Sequence, residues 1–305
     1  MAGEIEGCGF DGFRACVWEV TARKIGNVHR FADFPNLTYL DFVISAESIR
    51  GWINIAHECW LGYGKTRLGY TIERAIYWMH REVGTNTHLG IILLLMPLAA
   101  VLTRPRSASR NTRHDLTHVL SLLTIEDARL VYSAIRNLNP GGLGDAPEQD
   151  VRAEPTVTLL EAMKLAADRD MVARQYANGF ADVFDFGVPA FVDAFAKFGC
   201  VEAAIIDSQL RWLATYPDSL IARKNGPAVA EDVRRRAAEV LALGGIATAE
   251  GRAAGVALDK HLRSDGNKLN PGTTADLITA CLFVALRENK VTPNPPFRWN
   301  VPDWL

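Results

Sequence analysis

The stretch LGIILLLMPLAAVL, residues 89–102, decides the fold class. It is 14 residues long and contains Pro97, whereas a helix that crosses a bilayer needs roughly 20 consecutive apolar residues. A helix that is apolar on every face must be covered by protein on every face. The stretch therefore predicts a buried central helix and argues against a membrane span.

Apolar residues recur at helical spacing on both sides of this central stretch, and no convincing set of strands is present. The spacing predicts helices over residues 8–23, 43–60, 70–82, 88–102, 125–137, 156–176, 188–198, 200–214, 227–243, 247–262 and 273–288. We therefore predict an all-α fold, with a single multi-helix globular bundle over residues 1–290. Residues 291–305 are rich in proline and predict an extended tail.

Composition restricts the functions that remain. Hydrophobic residues make up 49% of the chain, and the formal charge is −2, so no global field attracts nucleic acid or an anionic membrane. The five cysteines form no CxxC pair, and the first residues lack a signal-peptide pattern. We expect a cytoplasmic protein with no nucleic-acid partner and no membrane partner. Trp52, Trp60 and Trp78 would suit either a homodimer face or the core.

Two segments place polar residues beside a glycine at a helix end. RKIGNVH, residues 23–29, sets Lys24 against a Gly26-Asn27 turn, where Lys24 would pair with phosphate or simply meet a helix C-terminus. GTNTHLG, residues 84–90, opens the central helix, where free N–H groups can bind an anion. His88 is a candidate acid or base, although a capped core helix explains this segment equally well.

A third segment is rich in carboxylates. Asp150 ends a Gly- and Pro-rich loop, and the helix predicted after it carries Glu161 and Asp168 on one face. Asp170 and Arg174 have the spacing of a surface ion pair. Carboxylates on a buried face would suit Mg²⁺, whereas a solvated charged face is the competing interpretation.

The fourth and fifth segments combine charged or hydroxyl side chains with glycine. YPDSLIARKNG, residues 216–226, contains Arg223 and Lys224, which are suited to phosphate. KLNPGTTADL, residues 268–277, opens the last apolar helix, with Asp276 in its first turn. Hydroxyl groups and a helix N-terminus form a plausible anion cradle. The order of a Walker A loop is absent, as are HExxH, GxSxG, Cys–His zinc and GxGxxG patterns.

In this order the segments resemble the triphosphoribosyl-dephospho-CoA synthase family. The matching words are KxGNV, TNTHLG, TLLEAM with RDxxARQY, PDSLIARK and NPGTTADL, which extend from about residue 10 to 290. The family usually has proline where this chain has Ile25. The wording of the third and fourth segments resembles a shorter branch of the family that is associated with one-carbon cofactor metabolism.

The resemblance implies that ATP loses adenine and gives its 5-triphosphoribosyl group to a hydroxyl of dephospho-CoA, with Mg²⁺ accompanying ATP. Such chemistry at ribose C1 needs an acid, a base and cations for the phosphates. The candidates for catalysis are His88, Glu73 and Asp276, and those for metal binding are Glu73, Asp150, Asp170 and Asp276. The candidates for nucleotide or phosphate binding are Lys24, Gly26, Asn27, Asn86, Thr87, Arg223, Lys224, Asn270, Gly272, Thr273 and Thr274.

Two alternatives stay open at this point. The first is ATP-dependent ribosyl or phosphoryl transfer to a different acceptor, such as a pterin or furan precursor of a one-carbon cofactor. The second is a helical protein that binds a nucleotide without catalysis. Release of adenine with dephospho-CoA, with another acceptor, or with none would distinguish the three.

Overall fold

A computed structural model describes residues 2–63, 67–102, 112–138 and 148–291. Within these ranges the protein is all-α, as predicted, with fourteen α-helices and no strand. The proposed tail and the loop at 139–147 lie almost entirely outside the described residues. The helices are α1 Ala2–Thr21, α2 Tyr39–Tyr63, α3 Leu68–Val83, α4 Leu89–Val101, α5 Thr112–Ser121, α6 Ile125–Leu138, α7 Leu159–Ala166, α8 Met171–Asn178, α9 Val188–Phe198, α10 Val201–Thr215, α11 Ser219–Asn225, α12 Pro227–Ala242, α13 Ala249–Arg263 and α14 Gly272–Arg287.

The central helix is α4, and it packs against α14. Every residue of α4 from Ile91 to Val101 is buried, and nearly every residue of α14 is buried too. Helices α1, α2, α3, α5, α9 and α10 pack around this pair. The prediction of a buried central apolar helix is therefore confirmed, and the first turns of α4 and α14 are held in the interior.

A second hydrophobic core lies between α10, α12 and α13. Ile25, in the turn after α1, is fully buried in this core and touches Gln209 of α10. The Ile25 N–H donates to Gln209 Oε1 at 2.8 Å, and Gln209 Nε2 donates back to the Ile25 carbonyl at 2.8 Å. A proline at this position would have no N–H to give. The Ile25 N–H, which the proline implied by the resemblance would lack, thus has a specific hydrogen-bond acceptor in this chain.

The prediction of a single helix over residues 156–176 is wrong, because two helices occupy this range. Thr158 and Glu161 form a capping box that starts α7, and α7 ends at Ala166. Asp170 then caps α8 by accepting hydrogen bonds from two backbone N–H groups. Asp168 lies between the two helices, so it does not share a helix face with Glu161.

The predicted Asp170–Arg174 pair is also wrong, because both residues have other partners. Arg174 pairs with Asp182 at 2.9 Å, and Asp170 pairs with Arg223. Asp182 starts a π-helical turn, Asp182–Gly187, which leads directly into α9 and which the apolar spacing did not indicate. Helix α5 was likewise not predicted.

The described helices offer no candidate for crossing a bilayer, because none is both long and apolar enough. Of the tryptophans considered for a dimer face, Trp52 and Trp60 pack against the main core. The Trp78 ring packs edge-on against Tyr77, with ring centroids 5.8 Å apart.

Candidate active site

A cavity of about 380 Å³ opens beside the first turns of α4 and α14. Its apolar lining comes mainly from α4, α6 and α7, and the rest of the lining includes carboxylates, guanidinium groups and amides. A concave site of this kind is the usual location for a small-molecule ligand. Ten of the residues predicted from the sequence line it: Asn27, Asn86, Thr87, Asp150, Asp170, Arg223, Asn270, Gly272, Thr273 and Asp276.

The second and fifth segments meet where Asp276 lies against Gly90. A Cβ atom built at Gly90 would be only 2.0 Å from Asp276 Oδ2. Real Cβ atoms essentially never come that close to an oxygen, so any side chain at Gly90 would displace the carboxylate. The absence of a side chain at Gly90 therefore leaves the space that the Asp276 carboxylate occupies beside the cavity.

The fourth and fifth segments are joined by Asp218. Its Oδ1 accepts hydrogen bonds from two N–H groups that begin α11, and its Oδ2 accepts from the Thr274 N–H and hydroxyl, both at 2.8 Å. Ser219 adds a hydroxyl hydrogen bond to Thr273 at 3.0 Å. Asp218 therefore occupies part of the first turn of α14 that the sequence assigned to phosphate, and Thr274 is engaged within the protein.

Asp170 and Arg223 form an ion pair at the cavity wall. Asp170 also caps α8, so one carboxylate fixes the guanidinium of α11 relative to α8. Asp150 is held further along the wall by Arg152, whose Nη2 lies 2.8 Å from Asp150 Oδ2. The third and fourth segments thus reach the same cavity from different helices.

Asp276 is an acid of the cavity lining whose pKa is raised. Among the residues that the structure describes, none gives its carboxylate a hydrogen bond or an ion pair. Burial raises its pKa well above the usual range, and the negative charges of Glu19, Asp218 and Asp170 add to this, while Arg223 opposes it. Asp276 therefore keeps a proton to higher pH than an ordinary carboxyl, as a general acid requires.

Three amide and hydroxyl side chains complete the polar wall. Asn86 Oδ1 accepts from the Leu89 N–H at 3.2 Å, and the Thr87 hydroxyl lies 2.5 Å from that of Ser45. Asn270 is 7% exposed, and its buried Oδ1 has no hydrogen-bond partner within the described part of the chain. A buried acceptor without a donor is costly, so a ligand that donates a hydrogen bond would fit beside Asn270.

The turn of the first segment is built mainly into the protein interior. Lys24 is 1% exposed, and its Nζ donates to the Glu19 and Val28 carbonyl oxygens at 2.7 and 3.0 Å. Gly26 has φ +69°, and a Cβ there would lie 2.5 Å from Leu262. Of this segment only Asn27 lines the cavity. The structure therefore does not place Lys24 or Gly26 on the cavity wall.

His88, Glu73 and Lys224 also lie away from the cavity wall. His88 is 1% exposed, precedes α4 and packs its ring 5.5 Å from that of Phe42. Burial lowers the pKa of His88 to about 3, so the imidazole is neutral at neutral pH. Glu73 lies on α3, and Lys224 Nζ donates to the Asn267 carbonyl at 3.3 Å.

Two charged residues that sequence reasoning missed line the cavity. Glu19 is 2% exposed on α1, and Arg169 follows α7. A lone Glu between Val17 and Val20 on an amphipathic helix was the only signal for Glu19. Charge inside an apolar stripe is unusual without a partner, and the partner proves to be Lys24.

Within the described residues, the side chains alone do not form a site for a resident metal ion. Nowhere in the described ranges do three or more His, Cys, Asp or Glu side chains converge as a metal-binding group. Asp150, Asp170 and Asp276 reach one cavity, but the first two are paired with Arg152 and Arg223, and Glu73 lies elsewhere. The set of four metal ligands expected from the sequence is therefore not assembled.

The fold and the cavity define a class: an all-α protein with a small-molecule site where carboxylates and arginines from separate parts of the chain converge. The model of the CitG family, described as ATP:dephospho-CoA triphosphoribosyl transferase, matches residues 12–294. The chain belongs to this family.

Two individual proteins illustrate the relationship. A Pseudomonas putida protein named "Probable 2-(5''-triphosphoribosyl)-3'-dephosphocoenzyme-A synthase" is 30% identical over 201 residues, which is 66% of this chain and 62% of that protein. The chain thus spans less than two thirds of that relative. A crystal structure of a candidate triphosphoribosyl-dephospho-CoA synthase from Archaeoglobus fulgidus superposes with TM-score 0.60 at 26% identity, covering 80% of this chain and 97% of that one.

Proposed function

We propose that the protein transfers the 5-triphosphoribosyl group of ATP to a hydroxyl of dephospho-CoA and releases adenine. The observation that carries this proposal is the presence of Asp276 and Arg223 in the lining of one cavity, with the charge of Arg223 acting on Asp276. One residue can hold a proton in a desolvated site, and the other is a permanent cation. Transfer of an anionic sugar away from a nucleobase needs both.

The reaction breaks the bond between ribose C1 and adenine and makes a bond from C1 to the acceptor oxygen. Positive charge develops on the ring in the transition state, as in glycoside chemistry. Adenine leaves more easily when one of its ring nitrogens is protonated. Asp276 is suited to donate that proton because burial keeps its carboxyl protonated to unusually high pH.

The triphosphate would lie near the cations of the wall. Arg223 on α11 is held by Asp170, and the Arg169 side chain, which lines the same cavity, is 40% exposed. Guanidinium groups make bidentate contacts to phosphate. Mg²⁺ would enter bound to ATP, because Mg²⁺ usually takes substrate phosphates and water as most of its ligands.

The remaining polar residues would orient the nucleotide. Asn86 and Thr87 lie beside the first turn of α4, and Asn270, Gly272 and Thr273 lie beside that of α14. Asn270 offers an acceptor to a hydroxyl or amino group of the substrate. The apolar wall from α6 and α7 would cover a base or another flat group.

Incubation with Mg-ATP and dephospho-CoA tests the proposal. Mass spectrometry should detect free adenine together with a product whose mass equals dephospho-CoA plus the triphosphoribosyl group, and neither should form without acceptor. A pterin or furan precursor of a one-carbon cofactor is the second acceptor to supply, because the third and fourth segments resemble the shorter branch. Adenine release only with that acceptor would move the assignment to the second acceptor, and release with neither would refute transfer.

A further inference from the structure

Among the described residues, Glu19 is the only carboxylate of the cavity lining that is buried, and it is paired with Lys24. Its side chain is 2% exposed, and its Oε1 lies 3.1 Å from Lys24 Nζ. Lys24 has three N–H groups to donate, and it contacts the Glu19 carboxylate, the Glu19 carbonyl and the Val28 carbonyl. The ammonium is therefore committed to the interior, and Lys24 holds Glu19 in place on the cavity wall.

We propose that Glu19 is the general base that takes the proton of the acceptor hydroxyl, that Asp276 is its acidic counterpart, and that Lys24 is a positioning residue for Glu19. This inference rests on the proposed group transfer. It replaces the sequence-based expectation that Lys24 binds phosphate. Glu19 belongs to none of the five segments that the sequence singled out.

The two carboxylates have unequal surroundings. Glu19 on α1 faces Lys24, and Lys24 in turn is near Arg263 of α13 and Glu202 of α10. Asp276 on α14 lines the same cavity as Glu19, and the charges of Glu19, Asp218, Asp170 and Arg223 act on it. Burial raises the pKa of both carboxyls, but Lys24 lowers that of Glu19, whereas three carboxylates raise that of Asp276 further. Two acids whose environments separate them in this way commonly divide into base and acid.

Among the described residues, Cys16 is a further titratable group that both carboxylates influence, and it is a poor competitor for either role. Cys16 lies one turn before Glu19 on α1 and is 1% exposed. Burial, Glu19 and Asp276 all raise the pKa of its thiol. A thiol that stays protonated is neither a base nor a nucleophile. Cys16 therefore does not compete with Glu19 or Asp276 for proton transfer. The other two carboxylates of the lining, Asp150 and Asp170, are paired with Arg152 and Arg223.

Written as a balanced step, the acceptor O–H gives its proton to the Glu19 carboxylate while its oxygen bonds to ribose C1. The bond from C1 to adenine breaks, and its electron pair leaves with the base. Asp276 gives its proton to a ring nitrogen of adenine. Glu19 ends protonated and Asp276 ionised, so one proton moving from Glu19 to Asp276 or through solvent restores the site.

The first test compares Glu19→Gln with Glu202→Gln. Glu202 is also a buried carboxylate, 1% exposed and paired with Arg23 and Arg30, but it does not line the cavity. We expect kcat to fall roughly 100-fold or more in Glu19→Gln, with ATP affinity retained by calorimetry. Glu202→Gln should keep its turnover per folded molecule. Equal losses of kcat in both variants would overturn the assignment.

The second test is Lys24→Met, read through both kinetic constants and the pH profile. Loss of a phosphate ligand would raise KM for ATP. Loss of a positioning cation should instead lower kcat and move the acidic limb of the profile to higher pH, because Glu19 without Lys24 has a higher pKa. If the acidic limb of the pH profile does not move and KM for ATP rises, Lys24 is not a positioning residue for Glu19. Where Lys24→Met folds poorly, Glu19→Gln/Lys24→Met removes the unpaired charge and must remain as inactive as Glu19→Gln.

A third measurement needs no substrate and so separates this inference from the proposed function. Unfolding free energies of the wild type, Glu19→Gln, Asp276→Asn and the double variant form a double-mutant cycle. Two facing carboxylates should show little coupling at low pH, where both are protonated, and increasing coupling as pH rises. A coupling near zero at every pH would rule out the carboxylate pair even if adenine is released. A clear coupling without adenine release would support the carboxylate pair and refute only the proposed group transfer.

Discussion

Asp182 and Asp276 are acidic residues at the starts of helical turns, and their surroundings are opposite. Asp182 accepts hydrogen bonds from Arg174, Gln175 and Asn178 at 2.8–3.3 Å, and from the Tyr216 hydroxyl at 3.3 Å. Asp276 lies on the cavity wall, and no described residue gives its carboxylate a hydrogen bond. The oxygens of the Asp182 carboxylate are filled with hydrogen-bond donors, and those of the Asp276 carboxylate receive none from the described residues.

The difference separates structural residues from candidate functional ones. A carboxylate whose lone pairs are all filled by the protein has nothing left for a ligand, and it locks the elements that supply the donors. A carboxylate that lacks hydrogen-bond donors in a desolvated site lowers the stability of the fold. Its presence there therefore indicates a functional role. The ARQYAN stretch therefore supports the π-helical turn, and the start of α14 serves the cavity.

Substitution of the two aspartates should give the largest contrast. Asp276→Asn removes the acid but keeps the shape, so adenine release should fall roughly 100-fold or more. Asp182→Asn removes charge-assisted hydrogen bonds and should lower the free energy of unfolding by about 1–3 kcal/mol. Turnover per folded molecule should change little in Asp182→Asn. Adenine release measures turnover, and urea unfolding of the same preparations measures the free energy of unfolding.

A reversed pattern would break the comparison. If Asp182→Asn abolished turnover without a stability change, the region around Asp182 would be functional. If Asp276→Asn kept wild-type turnover, the region around Asp276 would not be the site of proton transfer.

The contact between Gly90 and Asp276 supplies the next contrast. Gly90→Ala would place a Cβ 2.0 Å from Asp276 Oδ2 and displace the carboxylate. We expect adenine release to fall about 10- to 100-fold, because displacement of roughly 1 Å costs on that scale. Gly51→Ala in α2 is the matched control, since nothing lies within 4 Å of its added Cβ. It should keep full activity and gain about 0.5–1 kcal/mol of stability.

The arginines of the two regions should differ in the same way. Arg223 pairs with Asp170 on the cavity, and Arg174 pairs with Asp182 away from it. Arg223→Met should raise KM for ATP about tenfold, the scale for one charge-assisted contact. Arg174→Met should leave KM unchanged and lower the unfolding midpoint. An equal rise of KM in both variants would mean that the effect comes from net charge alone.

The sequence predicted the fold class and the central helix because their signals are local. The run at 89–102 is apolar throughout, and the helical spacing on each side extends over several turns. The break between α7 and α8 escaped because apolar spacing continues across it, while the capping role of Asp170 depends on its backbone angles. The π-helical turn escaped because its stabilising donors come from α8 and Tyr216.

Ten of the predicted site residues reach the cavity because segment order and helix starts restrict where they can lie. The orientation of a side chain at a turn is not local information, however. Lys24 has the sequence context of a phosphate ligand, yet its direction is set by the carbonyl oxygens of residues 19 and 28. Glu19 was missed for the complementary reason, because its value to the site depends on α4 and α14, which are distant in sequence.

The smallest predicted effect is a difference of sign in the pH dependence of stability. Burial raises the pKa of Asp182, but hydrogen bonds from Gln175, Arg174 and Asn178 outweigh it and lower the pKa below its unfolded value. Its contribution is thus present above the unfolded pKa and lost as pH falls through the folded pKa. Asp276 has a raised pKa, so its contribution is present below the unfolded pKa and lost as pH rises through the folded pKa.

The unfolding free energy of the wild type minus that of Asp182→Asn should therefore rise with pH up to about pH 4, near the unfolded pKa, and then level off. The total change should be on the order of 1 kcal/mol because solvent screens this partly exposed cluster. The wild type minus Asp276→Asn should fall as pH rises from about 4. Urea titrations at a series of pH values measure both differences. Two slopes of the same sign would mean that the cavity carboxylate is stabilised as an anion, and proton donation by Asp276 would then lose its physical basis.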